Sequence, residues 1–106
     1  MKHIITVRKD PSGKITLNGF VYQHDHGHII RLEGFNLPAA WDMDFANSLT
    51  GECMTKHGSG NQVDLPEELL TSGNNVHCWI VTRTEREQLT KWYFSLPVIR
   101  RAQLPE

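Results

Sequence analysis

Two cysteines in 106 residues, Cys53 and Cys78, are too few for a disulfide framework, and without a CxxC spacing they offer no local zinc knuckle. They read as reduced, partly buried thiols. No run approaches the roughly 18 apolar residues that a membrane helix needs. Met1-Lys2-His3-Ile4-Ile5-Thr6 passes straight into Arg8-Lys9-Asp10 with no signal-peptide core. The expectation is a soluble chain made in the cytoplasm, with no membrane partner. A surplus of one charge is also missing, since 11 Lys and Arg stand against 12 Asp and Glu. Phosphate contacts need basic residues concentrated on one face. The adjacent basic pairs, Arg8-Lys9 and Arg100-Arg101, are not interleaved with aromatics, so nucleic acid is not expected as a partner.

Helix signals are scarce as well, and turn residues punctuate the chain about every dozen positions with short alternating runs between them. This predicts one all-β domain over residues 1–106, an antiparallel β-sandwich. Its mass corresponds to burying roughly two-thirds of the unfolded surface, enough for a single core. Ile4 to Arg8 and Lys14 to Leu17 flank Asp10-Pro11-Ser12-Gly13 and read as a hairpin. A run from Phe20 reaches His28 to Glu33 and stops at Gly34. Trp41, Met43 and Phe45 alternate with Asp42, Asp44 and Ala46, predicting a bulky face and a wet one. Short strands are expected around Glu52 to Lys56 and Gln62 to Leu65, separated by a flexible turn through Gly58 and Gly60. Pro66-Glu67-Glu68-Leu69-Leu70, closed by Ser72-Gly73-Asn74, predicts one helical turn near residues 66–71.

Val76 to Thr84 and Leu89 to Ile99 are the longest strand candidates, joined by the charged connection 84–88. Pro97 lacks a ladder donor and places its end of the run at a sheet edge or a bulge. Period-two alternation turns Val76, Cys78 and Ile80 one way with Trp92, Phe94 and Leu96, the better core set. Trp79, Val81, Tyr93 and Ile99 face the other way. Such a patch calls for cover, either by the N-terminal strand or by another protein.

Residues with chemical potential are few. His24, His26 and His28 alternate and would share a strand face as a tris-imidazole set. Gly27 interrupts that strand, however, and no metal or cofactor is expected. Asp42 and Asp44 are the nearest carboxylate pair, more plainly the wet face of their strand. Cys53, Cys78 and Ser95 carry no local signature of an activated nucleophile. Gly58-Ser59-Gly60 neither follows a buried strand nor opens a helix, as a phosphate loop requires. No catalytic residue is expected.

The order of short motifs carries a resemblance. Gln23-His24-Asp25-His26-Gly27-His28, Gly34-Phe35-Asn36-Leu37-Pro38 and Phe45-Ala46-Asn47 are followed by Val63-Asp64-Leu65-Pro66-Glu67-Glu68-Leu69-Leu70-Thr71-Ser72-Gly73. Trp79-Ile80-Val81 and Leu96-Pro97-Val98-Ile99-Arg100-Arg101-Ala102 close the series. Over about positions 20–102 this resembles the N-terminal immunoglobulin-like domain of phage baseplate upper proteins and related minor tail proteins of phages and prophages of gut Firmicutes. Leu65 stands before Pro66 where such domains more often have Ile, and Trp92-Tyr93 where many carry a Gly-Glu-Thr-type hairpin. The resemblance implies an immunoglobulin-like sandwich that assembles with copies of itself or with other tail or baseplate proteins. It also implies a place in the virion and no catalytic motif. Trp79, Val81, Tyr93 and Ile99 are the interface candidates. A different class of function, a carbohydrate- or ligand-binding β-sandwich module, would use the exposed Trp and Tyr as stacking platforms beside Asp42 and Asp44.

Overall fold

A computed structural model describes residues 3–83 and 86–101. Its strands run β1 (His3–Lys9), β2 (Ile15–Asn18), β3 (Val21–Tyr22), β4 (His28–Glu33), β5 (Trp41–Asn47) and β6 (Cys53–His57). After them come β7 (Gln62–Asp64), a 3-10 turn (Glu67–Leu70), β8 (Val76–Arg83), β9 (Gln88–Leu96) and β10 (Val98–Ile99). Two four-stranded sheets, ordered β2-β1-β4-β7 and β6-β5-β8-β9, are joined by a two-stranded β10-β3 pair. Ile5, Val7, Ile30, Leu32 and Val63 from the first sheet share one buried cluster with Trp41, Met43, Phe45, Cys78, Ile80 and Phe94 from the second. The molecule is thus the expected all-β sandwich, with both inner faces supplying the core.

The first hairpin forms around Asp10, whose Oδ1 accepts the Ser12 and Lys14 amides at 3.0 and 2.9 Å and the Ser12 hydroxyl at 2.6 Å. Those bonds, the Ser12 hydroxyl first, hold the Asp10 carboxyl below the usual carboxylate range. Alternation on β5 buries Trp41, Met43 and Phe45 as expected. The helical turn also lies where Pro66 and the two acids place it, as a single 3-10 turn that buries Leu69 and Leu70. Gly34 shows why the run from β4 must stop. It sits at φ +79°, and a Cβ there would fall within 2.1 Å of the Lys9 carbonyl oxygen.

Two pairings go beyond what alternation can show. β1 lies parallel to β4, from His3 opposite His28 to Arg8 opposite Glu33, and the Arg8 guanidinium reaches Glu33 Oε2 at 2.7 Å. Pro97 does more than mark an edge: it divides the expected last strand, and β10 leaves the β8-β9 hairpin to run parallel to β3. Ile99 therefore pairs with Tyr22 and lies outside the Trp79 and Tyr93 patch, a correction to its placement there. Of the charged connection 84–88, Thr84 and Glu85 lie outside the described residues.

Several of the short motifs are structural joints. Asn47, buried at the end of β5, donates from Nδ2 to the Leu69 carbonyl (3.1 Å) and to Ser72 Oγ (2.6 Å), while its Oδ1 accepts the Leu49 and Thr50 amides. Gln23 donates to the Thr71 carbonyl at 2.7 Å and accepts the Arg101 amide at 3.0 Å, tying the C-terminal segment to β3. Phe35 packs edge-on against Trp92, ring centroids 5.2 Å apart, and so covers the β9 end of the core.

Candidate functional site

Side chains on the outer face of the β6-β5-β8-β9 sheet are set by register. One row runs Thr55, Asp44, Trp79, Tyr93, and the next runs Cys53, Ala46, His77, Ser95. A third runs His57, Asp42, Val81, Thr90. The centre of the face is an aromatic cluster: Trp79 and Tyr93 rings lie 5.5 Å apart, and His77 lies 5.7 Å from Trp79 and 5.6 Å from Tyr93. The Tyr93 hydroxyl and His77 Nδ1 share a 2.6 Å hydrogen bond. This cross-strand arrangement locks the rings in place while Tyr93 stays 45% exposed.

Of the four residues expected on this patch, Trp79 and Tyr93 are brought together. Trp79 is half-buried. Val81 is 1% exposed and offers no accessible surface, which corrects its assignment to the patch. Val81 keeps the outward parity of Trp79 but lies beside the buried Asp42, outside the core cluster, where the ladder is bulged: Ile80 pairs with Trp92 and Val81 with Thr90, with Lys91 the extra residue on β9. The N-terminal strand gives the patch no cover, because β1 belongs to the opposite sheet.

Asp42 departs from the wet face foreseen for it. It is buried, its Oδ1 accepting from His57 Nδ1 and its Oδ2 from Arg83 Nε, both at 2.6 Å. The pair compensates a carboxylate that could not otherwise sit beside Val81. Asp44 is half-buried, and its Oδ1 accepts the Thr55 hydroxyl at 2.6 Å. Cys53 is exposed at the sheet edge, with its thiol donating to the Gly51 carbonyl, and Cys78 is buried in the core with its thiol pushed strongly upward by burial.

The three alternating histidines do not form a strand face. His24 has φ +71° and Gly27 φ +83°, so the backbone turns through them and β4 begins only at His28. They line one cavity with His3 and Asp25, but among the described residues no three His, Cys, Asp or Glu side chains are grouped to hold a metal ion. Alternation carried a signal for His77, which has the same outward parity as Trp79. The His57 and Arg83 clamp on Asp42 depends on register between strands distant in sequence and left no local trace.

Comparison with known proteins gives no match, either to a family model or to a curated protein.

Proposed function

We propose that this domain is a structural and assembly component of a phage or prophage tail or baseplate, acting through protein–protein contacts with copies of itself or with neighbouring tail proteins. The observation that carries the proposal is the His77, Trp79 and Tyr93 cluster, fixed by hydrogen bonding and left without cover from the chain's own N-terminal strand. Ordered aromatics of this kind suit an interface, because they bring large contact area with little side-chain entropy left to lose. The order of motifs over positions 20–102 supplies the phage context. In this role the chain needs no cofactor and performs no catalysis, and it is made in the bacterial cytoplasm before joining the virion.

The test has two arms. Mass spectrometry of density-purified virions is expected to detect the chain, and light scattering over a concentration series is expected to show association that Trp79→Ala weakens. Absence from particles together with a strict monomer at high concentration removes the proposal. A second role, a carbohydrate-binding module, is favoured by one relationship: Asp44, Trp79 and Tyr93 stand side by side in one row. Glycan-array binding that is lost in Trp79→Ala, with no self-association, would decide for it.

A further inference from the structure

At one end of the sandwich, away from the aromatic face, lies a cavity of about 360 Å³. Three stretches of chain build it: His3, residues 20–28 and Arg101. Parallel pairing of β1 with β4 sets His3 beside His28, ring centroids 5.3 Å apart. Pairing of β10 with β3 brings Arg101 to the opposite wall, where its amide donates to Gln23 Oε1. Phe20 and Tyr22, edge to face at 5.5 Å and 51% and 43% exposed, form an aromatic side. Between this pair and His28 runs the turn His24-Asp25-His26, closed by the Asp25 amide donating to the Tyr22 carbonyl at 3.1 Å.

Three features of this cavity are not explained by folding alone. His24 holds φ +71° at the position of the turn where Gly or Asn is favoured, the one non-glycine residue with positive φ among the described residues. His28 has a side chain only 9% exposed, yet its Nδ1 has no hydrogen-bond partner, and Nε2 stands 3.9 Å from Asp25. Burial lowers the His28 pKa, with Asp25 opposing the effect and His3 and His26 adding to it. Thirdly, an exposed aromatic pair shares the recess with Arg101.

We propose that this cavity is a binding site for a small acidic sugar, with the carboxylate taken by Arg101 and the neighbouring imidazoles and the pyranose ring laid against Phe20 and Tyr22. Its volume is at the low end of small-molecule sites, the size of a monosaccharide rather than a chain. Seven of the eight lining residues carry a hydrogen-bonding side chain, which suits a ring bearing hydroxyls better than an aromatic acid. Charge selects the acid form. Among the described residues of the lining, Arg101 is the one permanent cation and Asp25 the one carboxylate, and Asp25 Oδ2 already accepts the Tyr22 amide at 3.1 Å. Glu67 and Glu68 of the 3-10 turn line a different depression, on the other side of His24 and His26. Arg101 and the imidazole N–H groups are thus the donors for the ligand carboxylate, and Asp25, the acid of the lining, is tied to the Tyr22 amide.

Glucuronate, glucose and inorganic phosphate, titrated separately into the full chain and followed by NMR of the histidine and aromatic side chains, test the site. Glucuronate is expected to bind and shift the His3, His26 and Tyr22 resonances, with glucose and phosphate each at least about tenfold weaker. Phe20→Ala and Arg101→Gln, both at exposed positions, are each expected to weaken glucuronate by about tenfold while Trp79→Ala leaves it unchanged. No response to glucuronate, equal affinity for glucose or for phosphate, or loss of binding in Trp79→Ala alone overturns the proposal.

Discussion

Arg83 Nε and Asp42 Oδ2 lie 2.6 Å apart, with the Asp42 side chain 6% and that of Arg83 49% exposed. The carboxylate has left water while its guanidinium partner is only half withdrawn. The Asp42 desolvation is therefore offset by two hydrogen bonds, one from Arg83 and one from the largely exposed His57. Arg83→Ala is expected to destabilise the domain by about 1–2 kcal/mol, because the carboxylate stays buried with one donor fewer. His57→Ala should cost less, since that ring is held at the surface. Urea titration monitored by tryptophan fluorescence measures both, and equal stability of Arg83→Ala and wild type would show the pair to be incidental.

Asn47 uses both ends of its amide to join β5 to the 3-10 turn and to the loop that follows β5. Asn47→Ala leaves the buried Leu69 carbonyl and the Leu49 and Thr50 amides short of partners, with an expected loss of about 2–3 kcal/mol. Asn47→Asp is expected to be worse near neutral pH than in mild acid, because an ionised carboxylate replaces a donor against the Leu69 carbonyl. Thermal melts at two pH values distinguish the two substitutions.

Gly58 is packed against a ring. A Cβ on it would lie 2.1 Å from Trp41, a buried side chain whose Nε1 donates to the Gly60 carbonyl at 2.9 Å. Gly58→Ala is expected to cost upwards of about 2 kcal/mol, as overpacking of a fixed core side chain does. Gly51→Ala, with φ +74° and open space around the Cβ, carries only backbone strain of about 1 kcal/mol. The difference in denaturation midpoint between the two variants is the measurement.

His28 makes stability depend on pH. Its folded-state pKa lies below the ordinary imidazole value of 6.5, with burial the leading cause. Below about 6.5 the unfolded chain takes up a proton that the folded imidazole declines. The contribution is therefore fully present above that pH and is lost as pH falls through and below it. Denaturant midpoints are expected to drop between pH 7.5 and 5.5, and less steeply in His28→Gln.

The two thiols should separate cleanly in a labelling experiment. Cys53 is exposed and Cys78 is buried with its thiol pKa raised. One equivalent of thiol reagent is expected to react promptly with folded protein and the second only in denaturant. Prompt reaction of both would mean that β8 opens readily.

Local pattern carried most of the fold. Trp41, Met43 and Phe45 have two faces to choose between, and burying bulk decides the choice, as it does for Val76, Cys78 and Ile80. What it could not supply was partnership. Alternation says which way a residue points and nothing about which strand lies beside it, so His3 next to His28 and Asp42 between His57 and Arg83 emerged only from register. Ile99 is misplaced by the same rule applied across Pro97, whereas Val81 does share the face of Trp79 and is covered there beside Asp42. The aromatic pair Trp79 and Tyr93 was legible because no interruption lies between them and their hairpin partners.

The parallel pairings have a temporal consequence. His3 and Arg101 stand on the same cavity though 98 positions separate them, and each is carried there by a strand that runs alongside a partner far away in sequence. During synthesis the N-terminal wall must wait for β4, and the opposite wall forms only when the last strand has emerged and docked on β3. The cavity thus depends on both long-range pairings, and a chain whose β10 is not docked on β3 lacks the Arg101 wall.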